Sequence, residues 1–549
     1  DVTAQYVAGW DWTVPVPDRN TGLWDHVEVE VSGPVTLRHA HVVATPRDPQ
    51  KLGQPWDVAV TVEARNHVGR SVAGWVTAVV TLVDAEAGGC VVVEALWSVQ
   101  FQLGPGEAAT VAMDAAVQKP RLWWPVGCGR TAQQPLYEVA LTATVDDYGE
   151  SHEAAERFGL RLVEVYPKAS LKGASAFAVN GHDAFIRGGN VITPEGMLRN
   201  SDARCWAEVR LHAEAGFNML RLWGGAGIPR EAIYDACDHY GVLVWHEWWV
   251  TGDCNGRGAT PASPESDPSW PVDHGLFVRS VRDVVLRLRN HPCLALWCGG
   301  NEQRPAPDLD AALRRIFGAP AAEEAEKAPA AAAAAGGAEC LDATRRYVSG
   351  SFWGGFAKGD GDWSDGPYGI QPPEAFFSDA FYAYGFNPEV GSVGTPSARA
   401  IRRMFPDGEG RDPPRLEERA GQGVVDVPNA LWQLHCYIPY HDDQGHNHLA
   451  AYGRPKDLDE FCDQAQLANY VQYRALLEGW AARMWTKYSG VLVWKTQNPW
   501  PGLRGALYDY WLDPLGSFFG AKAALQPLHA QLNPDAARVE LVNASVAAR

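Results

Sequence analysis

The chain has 549 residues, 46% of them hydrophobic and 21% charged, too many for one ordinary core and too apolar for disorder. Its formal net charge of -19 argues against nucleic acid and against anionic membrane surfaces, since both need a basic face. A neutral ligand fits that charge better, and no stretch is long and apolar enough to span a bilayer.

The first 33 residues, with Gly9-Trp10-Asp11-Trp12, are expected to be the tail of a β-sandwich domain that starts before them. Residues 34–164 read as all-β. Alternation runs through 58–63, 76–82 and 137–144, with Gly-, Pro- and Asp-rich turns between, and predicts an immunoglobulin-like sandwich. From residue 165 to 535 the pattern becomes strand then helix, repeated. Apolar runs fall near 184–187, 218–223, 242–246, 294–298, 347–351, 384–390 and 491–495, with a weaker one at Pro367-Tyr368-Gly369-Ile370. Helices are predicted over Asp202–Ala215, Arg230–Tyr240 and Phe277–Asn290, the first two closed by Gly216 and Gly241. Eight strands alternating with helices predict a (β/α)8 TIM barrel, with its active site at the carboxyl ends of the strands. The alanine-rich stretch from Gly318 to Gly337 has no amphipathic stripe and is expected to be a solvated insertion without a catalytic role. Residues 536–549 are expected to begin a following β domain.

Two of these runs end in glutamate. One leads into Cys298-Gly299-Gly300-Asn301-Glu302, the other contains Phe386-Asn387-Pro388-Glu389. Two carboxyl groups at barrel strand ends are what glycoside hydrolysis requires, one as proton donor and one as nucleophile. The glycines before Asn301 let backbone approach a ligand closely. Asn301 can hold a sugar hydroxyl while its neighbour protonates the leaving oxygen. Arg221, at the end of another run, can keep a carboxylate ionised through charge-assisted hydrogen bonds. The 23 tryptophans suit carbohydrate, because an indole face covers the apolar side of a pyranose, although most of them are expected to be core.

A metal centre is the rival reading. His435, His441, His446 and His448 crowd one stretch with Asp442 and Asp443, but the spacing is not that of H-E-x-x-H, and His246-Glu247 lacks a second histidine. The ten cysteines include no C-x-x-C pair, and no metal or other cofactor is expected.

Several motifs, in order, carry a resemblance. They are Leu122-Trp123-Trp124-Pro125, Gly188-Gly189-Asn190, Arg221-Leu222-Trp223-Gly224-Gly225, Trp245-His246-Glu247-Trp248-Trp249, Gly299-Gly300-Asn301-Glu302, Phe386-Asn387-Pro388-Glu389-Val390-Gly391-Ser392 and the run from Val493 to Trp500. Together they resemble glycoside hydrolase family 2, and within it the endo-β-mannosidases acting on N-glycans. The resemblance implies a retaining mechanism on an oligosaccharide or N-glycan, with Glu302 as acid/base and Glu389 as nucleophile. It implies that Arg221 supports the nucleophile, that Asn301 binds the 2-hydroxyl, and that Asn190, Tyr368, Trp223 and Trp494 line the site. Asp11 resembles an aspartate that reaches the pocket from the preceding β domain. Val191 departs from the pattern, standing where the family usually has tryptophan. The same family also holds exo-β-mannosidases and exo-β-glucosaminidases, the alternative activity.

Overall fold

A computed structural model describes residues 4–17, 22–83, 91–128, 134–171, 173–251, 271–302, 304–320, 339–351, 366–378, 385–391 and 393–545. Seven antiparallel strands come first: β1 (Val35–Pro46), β2 (Trp56–Asn66), β3 (Val72–Val83), β4 (Val91–Leu103), β5 (Ala108–Val117), β6 (Leu136–Val145) and β7 (Gly149–Phe158). They make two sheets, ordered β1-β2-β5 and β4-β3-β6-β7. Val58, Val60 and Val62 of one sheet and Val76, Ala78 and Val80 of the other share a single core. This is the period of two that alternation in the sequence requires.

A small antiparallel sheet follows, of β8 (Val163–Pro167), β9 (Ser175–Val179) and β10 (His182–Ala184). Then come β11 (Ile186–Val191), β12 (Met219–Leu222), β13 (Leu243–Glu247), β14 (Leu294–Cys298), β15 (Arg346–Val348) and β16 (Phe386–Gly391). After a hairpin of β17 (Arg415–Arg419) and β18 (Gly423–Val427) the chain returns as β19 (Gly490–Trp494), and it makes a last hairpin of β20 (Leu528–Asn533) and β21 (Arg538–Asn543). Strands β11 to β16 and β19 form one parallel sheet in the order β15-β14-β13-β12-β11-β19-β16. Apart from half-buried Arg346 on β15, its strands are buried along their length, which explains why most read as unbroken apolar runs.

Helices connect the strands. The sequence places α1 (Asp202–Glu214), α2 (Glu231–Tyr240) and α3 (His274–Leu288) within a few residues of their positions. Ser201 caps α1 by accepting from the Arg204 N–H, and Gly241, at φ +73°, takes the left-handed conformation that ends α2.

The parallel sheet curls. Strands β13 and β16 stand four positions apart, about 19 Å in a flat sheet, yet the rings of Trp245 and Phe386 lie 6.0 Å from each other. One expectation needs correcting. Residues 367–370 form no strand, because Pro367 has no N–H to give a ladder. The segment still lies along β16: the Gly366 N–H donates to Glu389 O at 3.2 Å and the Gly391 N–H to Pro367 O at 2.8 Å. The alanine-rich stretch lies almost wholly outside the described residues.

Side chains staple the two-sheet unit to the parallel sheet. Asn290, just past α3, accepts from the Val42 N–H and donates to Ala40 O, both at 2.9 Å. Arg161 donates to Pro292 O and Leu294 O at 3.0 and 2.8 Å.

Candidate active site

Asn190, Arg221 and Trp245 are register neighbours on β11, β12 and β13, so they share one level near the carboxyl ends. Arg221 is the centre of the site and is fully buried. Its Nε donates to Glu247 Oε1 at 2.7 Å. Nη1 donates to Asn190 Oδ1 at 2.7 Å and to Glu389 Oε1 at 2.5 Å, and Nη2 donates to Asn301 Oδ1. The guanidinium also lies 5.7 Å from the centre of the Trp245 ring. One side chain thus joins the ends of five segments. In the sheet order, β14 and β16 are five positions apart; the curl brings the residue after one and the carboxylate of the other to the same cation.

Glu389 sits where the β16–β19 ladder is irregular, between Asn387 and Val390. Pro388 cannot donate to that ladder, and a local bulge re-aims the next side chain. The Asn387 side chain takes the Glu389 N–H at 3.0 Å, and Tyr368 donates to Glu389 Oε2 at 2.7 Å. Both carboxylate oxygens therefore have a donor. Burial pushes the Glu389 carboxyl above its ordinary range, against the pull of Arg221 and Tyr368. Burial alone would lower the Arg221 guanidinium, but Glu247 and Glu389 hold it far above its usual value, so its charge is permanent.

Glu302 follows Asn301 and is half-buried, at φ +55°, a left-handed conformation that is strained for a glutamate. The turn is pinned at both ends. The Asn301 N–H donates to Val250 O at 2.7 Å, and the Glu302 N–H to Ser351 Oγ at 2.9 Å. Gly299 must lack a side chain there: a Cβ would lie 2.4 Å from Ser349 O and 2.6 Å from the Tyr347 hydroxyl.

The other expected residues take different stations. Asn190 is fully buried, with its oxygen on Arg221 and its NH2 on Pro388 O and Val493 O, so it ties β11 to three other strands. Trp223 and Trp494 meet edge to face at 6.0 Å, and Trp10 and Trp12 pack on Trp223 at 4.9 and 5.6 Å. Segment 4–17 thus lies against the mouth of the curled sheet, anchored by Tyr6 to Gly196 O at 2.6 Å and by Gln5 to Trp249 O at 2.7 Å. Asp11 is largely exposed at its edge and pairs with Arg504 at 2.8 Å. Nearby Lys495 is buried and donates to Gln497 O and Asn498 Oδ1; burial first, and then Arg504, pushes it down to about 7.

The sequence did not single out Glu247, Asn387, Ser351 or Trp12 for the site. Glu247 has the clearest signal, since it ends a strand inside the Trp245–Trp249 motif. Three histidines of the rival reading are bound to acids: His441 to Asp426 at 2.7 Å, His448 to Asp442 at 3.0 Å, and His446 to Asp442 at 3.6 Å, while the fourth, His435, donates to Pro501 O at 2.6 Å. Among the described residues, ligand-type atoms converge only at Asp238, His291 and Cys293, away from the Arg221 site, where Asp238 accepts from both the His291 ring and the Cys293 N–H. No helix among the described residues is long and apolar enough to cross a membrane.

The family model of glycosyl hydrolases family 2 matches residues 39–161 of this multidomain chain. It is 43% identical over 560 residues to a mannosylglycoprotein endo-beta-mannosidase of Lilium longiflorum, an alignment covering 99% of this chain and 56% of that protein. It is 30% identical to an exo-beta-D-glucosaminidase of Streptomyces avermitilis, over 97% of this chain and 55% of the relative. The chain therefore spans about half the length of the curated relatives it matches. A beta-D-mannosidase structure from Dictyoglomus thermophilum superposes with a TM-score of 0.70 over 99% of this chain and 61% of that one, at 20% identity, a likeness of fold.

Proposed function

We propose that this chain carries the catalytic site of a retaining glycosidase that cleaves the Manβ1-4GlcNAc linkage in the core of N-glycans. The observation that carries the reading is the Arg221 guanidinium, which binds Glu389 and the neighbour of Glu302 at once. Two acids recruited from opposite parts of the sheet can then flank one sugar ring, as double displacement needs.

Glu389 attacks the anomeric carbon while Glu302 gives its proton to the leaving oxygen, which departs as the alcohol of the GlcNAc. A mannosyl ester on Glu389 results. Its formation removes one negative charge from the site, which lets Glu302, now ionised, take a proton from water. The hydroxide so formed displaces Glu389 and retains the configuration. Arg221 and Tyr368 receive charge as it returns to the Glu389 oxygens. Asn301 is the group for the 2-hydroxyl, Trp223 and Trp494 form the aromatic wall, Asn190 fixes Arg221, and Asp11 stands at the rim.

In domain terms we read residues 165–535 as a (β/α)8 barrel, its eighth position taken by the segment beside β16. Residues 34–164 are then an immunoglobulin-like sandwich, residues 1–33 the end of a preceding β domain and 536–549 the start of a following one. The 43% likeness to the lily enzyme supports endo action over the exo action named for the 30% relative. Incubation with Manα1-6Manβ1-4GlcNAc2, with products weighed by mass spectrometry, decides between them. Release of a mannose disaccharide is expected. Inertness towards this glycan, with single mannose freed from simple β-mannosides, gives the exo reading instead. Glu302→Gln and Glu389→Gln should each abolish turnover with the fold intact.

A further inference from the structure

The Arg221 site holds a second carboxylate that the reaction above does not use. Glu247 is fully buried at the end of β13. Its Oε1 takes the Nε edge of Arg221, and its Oε2 takes the Gly224 N–H at 3.2 Å. The main chain is tight here, since a Cβ on Gly224 would lie 2.1 Å from Trp248 O. The carboxylate is therefore fixed from both sides. The opposite part of the guanidinium serves Glu389, so one cation stands between two anions.

We propose that Glu247 is a positioning residue that shares Arg221 with Glu389 and so limits how firmly that cation holds the nucleophile. The inference rests on Glu389 being the nucleophile. A guanidinium held by Glu389 alone would bind it as a full ion pair and leave a weaker nucleophile; divided, it orients the carboxylate and still leaves it reactive. The titratable groups facing the pair come from every side: Arg221 from β12, Tyr368 from the segment beside β16 and the Cys298 thiol from β14. Burial dominates the upward displacement of Glu389, and the charge of Glu247 adds to it.

The test compares Glu247→Gln, Glu247→Asp and Glu389→Gln by pH profiles of kcat and kcat/KM on one substrate, with circular dichroism and thermal midpoints as controls for folding. Glutamine removes the charge but still accepts from Arg221. Its acid limb is expected to move to lower pH, with kcat down about 10- to 100-fold and KM changed less than about threefold. Aspartate keeps the charge, so its acid limb should stay with that of the parent although kcat falls. A folded Glu247→Gln protein with an unmoved acid limb overturns the inference. Glutamine also leaves an NH2 opposite the Gly224 N–H, and if that variant does not fold, aspartate decides: a shifted acid limb, or a loss in KM alone, overturns the proposal. Retained turnover by Glu389→Gln would instead remove the nucleophile assignment beneath it.

Discussion

At the scale of single residues, the proposed chemistry needs a buried Glu389 and a half-buried Glu302 in different states. Glu389 has a donor on each oxygen, and the Tyr368 hydroxyl is the one that can be removed without disturbing Arg221. Tyr368→Phe should lower kcat/KM about 100- to 1000-fold, the scale of one lost donor to a reacting oxygen. The pH dependence has a definite sign. Tyr368 pulls the Glu389 carboxyl down, so without it the carboxyl rises and ionises later. The acid limb of kcat/KM should therefore move to higher pH, opposite to the displacement expected of Glu247→Gln. A profile that falls uniformly without moving would mean that Tyr368 only fills space.

At the scale of elements, the ends of β14 and β16 do the positioning, and they differ in how far the sequence reveals them. The β14 run ending in two glycines announces a strand end with close backbone packing. Gly299→Ala would force a methyl group against Ser349 O and the Tyr347 hydroxyl. A loss of about 1–3 kcal/mol in stability is expected, as for an overpacked core, together with reduced turnover because Asn301 and Glu302 shift. Chemical denaturation and steady-state rates check both; an unchanged midpoint would mean that the turn has room. The strands were legible because parallel strands covered on both faces leave long apolar runs. The bulge at Pro388-Glu389 could be suspected from the proline alone. The direction in which Glu247 turns could not, since a strand buried on both faces gives no alternation from which to choose. The failed strand at 367–370 has a different origin: Pro367, visible in the sequence, denies the ladder a donor, and the segment keeps two main-chain bonds to β16.

At the scale of the whole molecule, many of the tryptophans serve packing. Nine of them are among the largest fully buried side chains, so abundance of indole was a weaker sign of carbohydrate than the order of the motifs. The joint between the two-sheet unit and the parallel sheet was not visible in sequence, because Asn290 looks like any residue after a helix. Its side chain satisfies buried main-chain groups of β1 from some 250 positions away. Asn290→Ala should cost on the order of 2–4 kcal/mol by leaving them unpaired, with KM unchanged because the joint is remote from Arg221. Thermal unfolding and kinetics on the same sample would show it; a normal midpoint would mean that the joint is held elsewhere. The central claim is that Glu389 forms a bond to the sugar while Glu302 manages the proton. The most direct measurement is trapping with a 2-deoxy-2-fluoro-β-mannosyl fluoride, followed by mass mapping of the peptides. A fluoromannosyl ester on Glu389, accumulating in proportion to lost activity, is the predicted result. An ester on another residue, or loss of activity with Glu389 unmodified, would contradict the account.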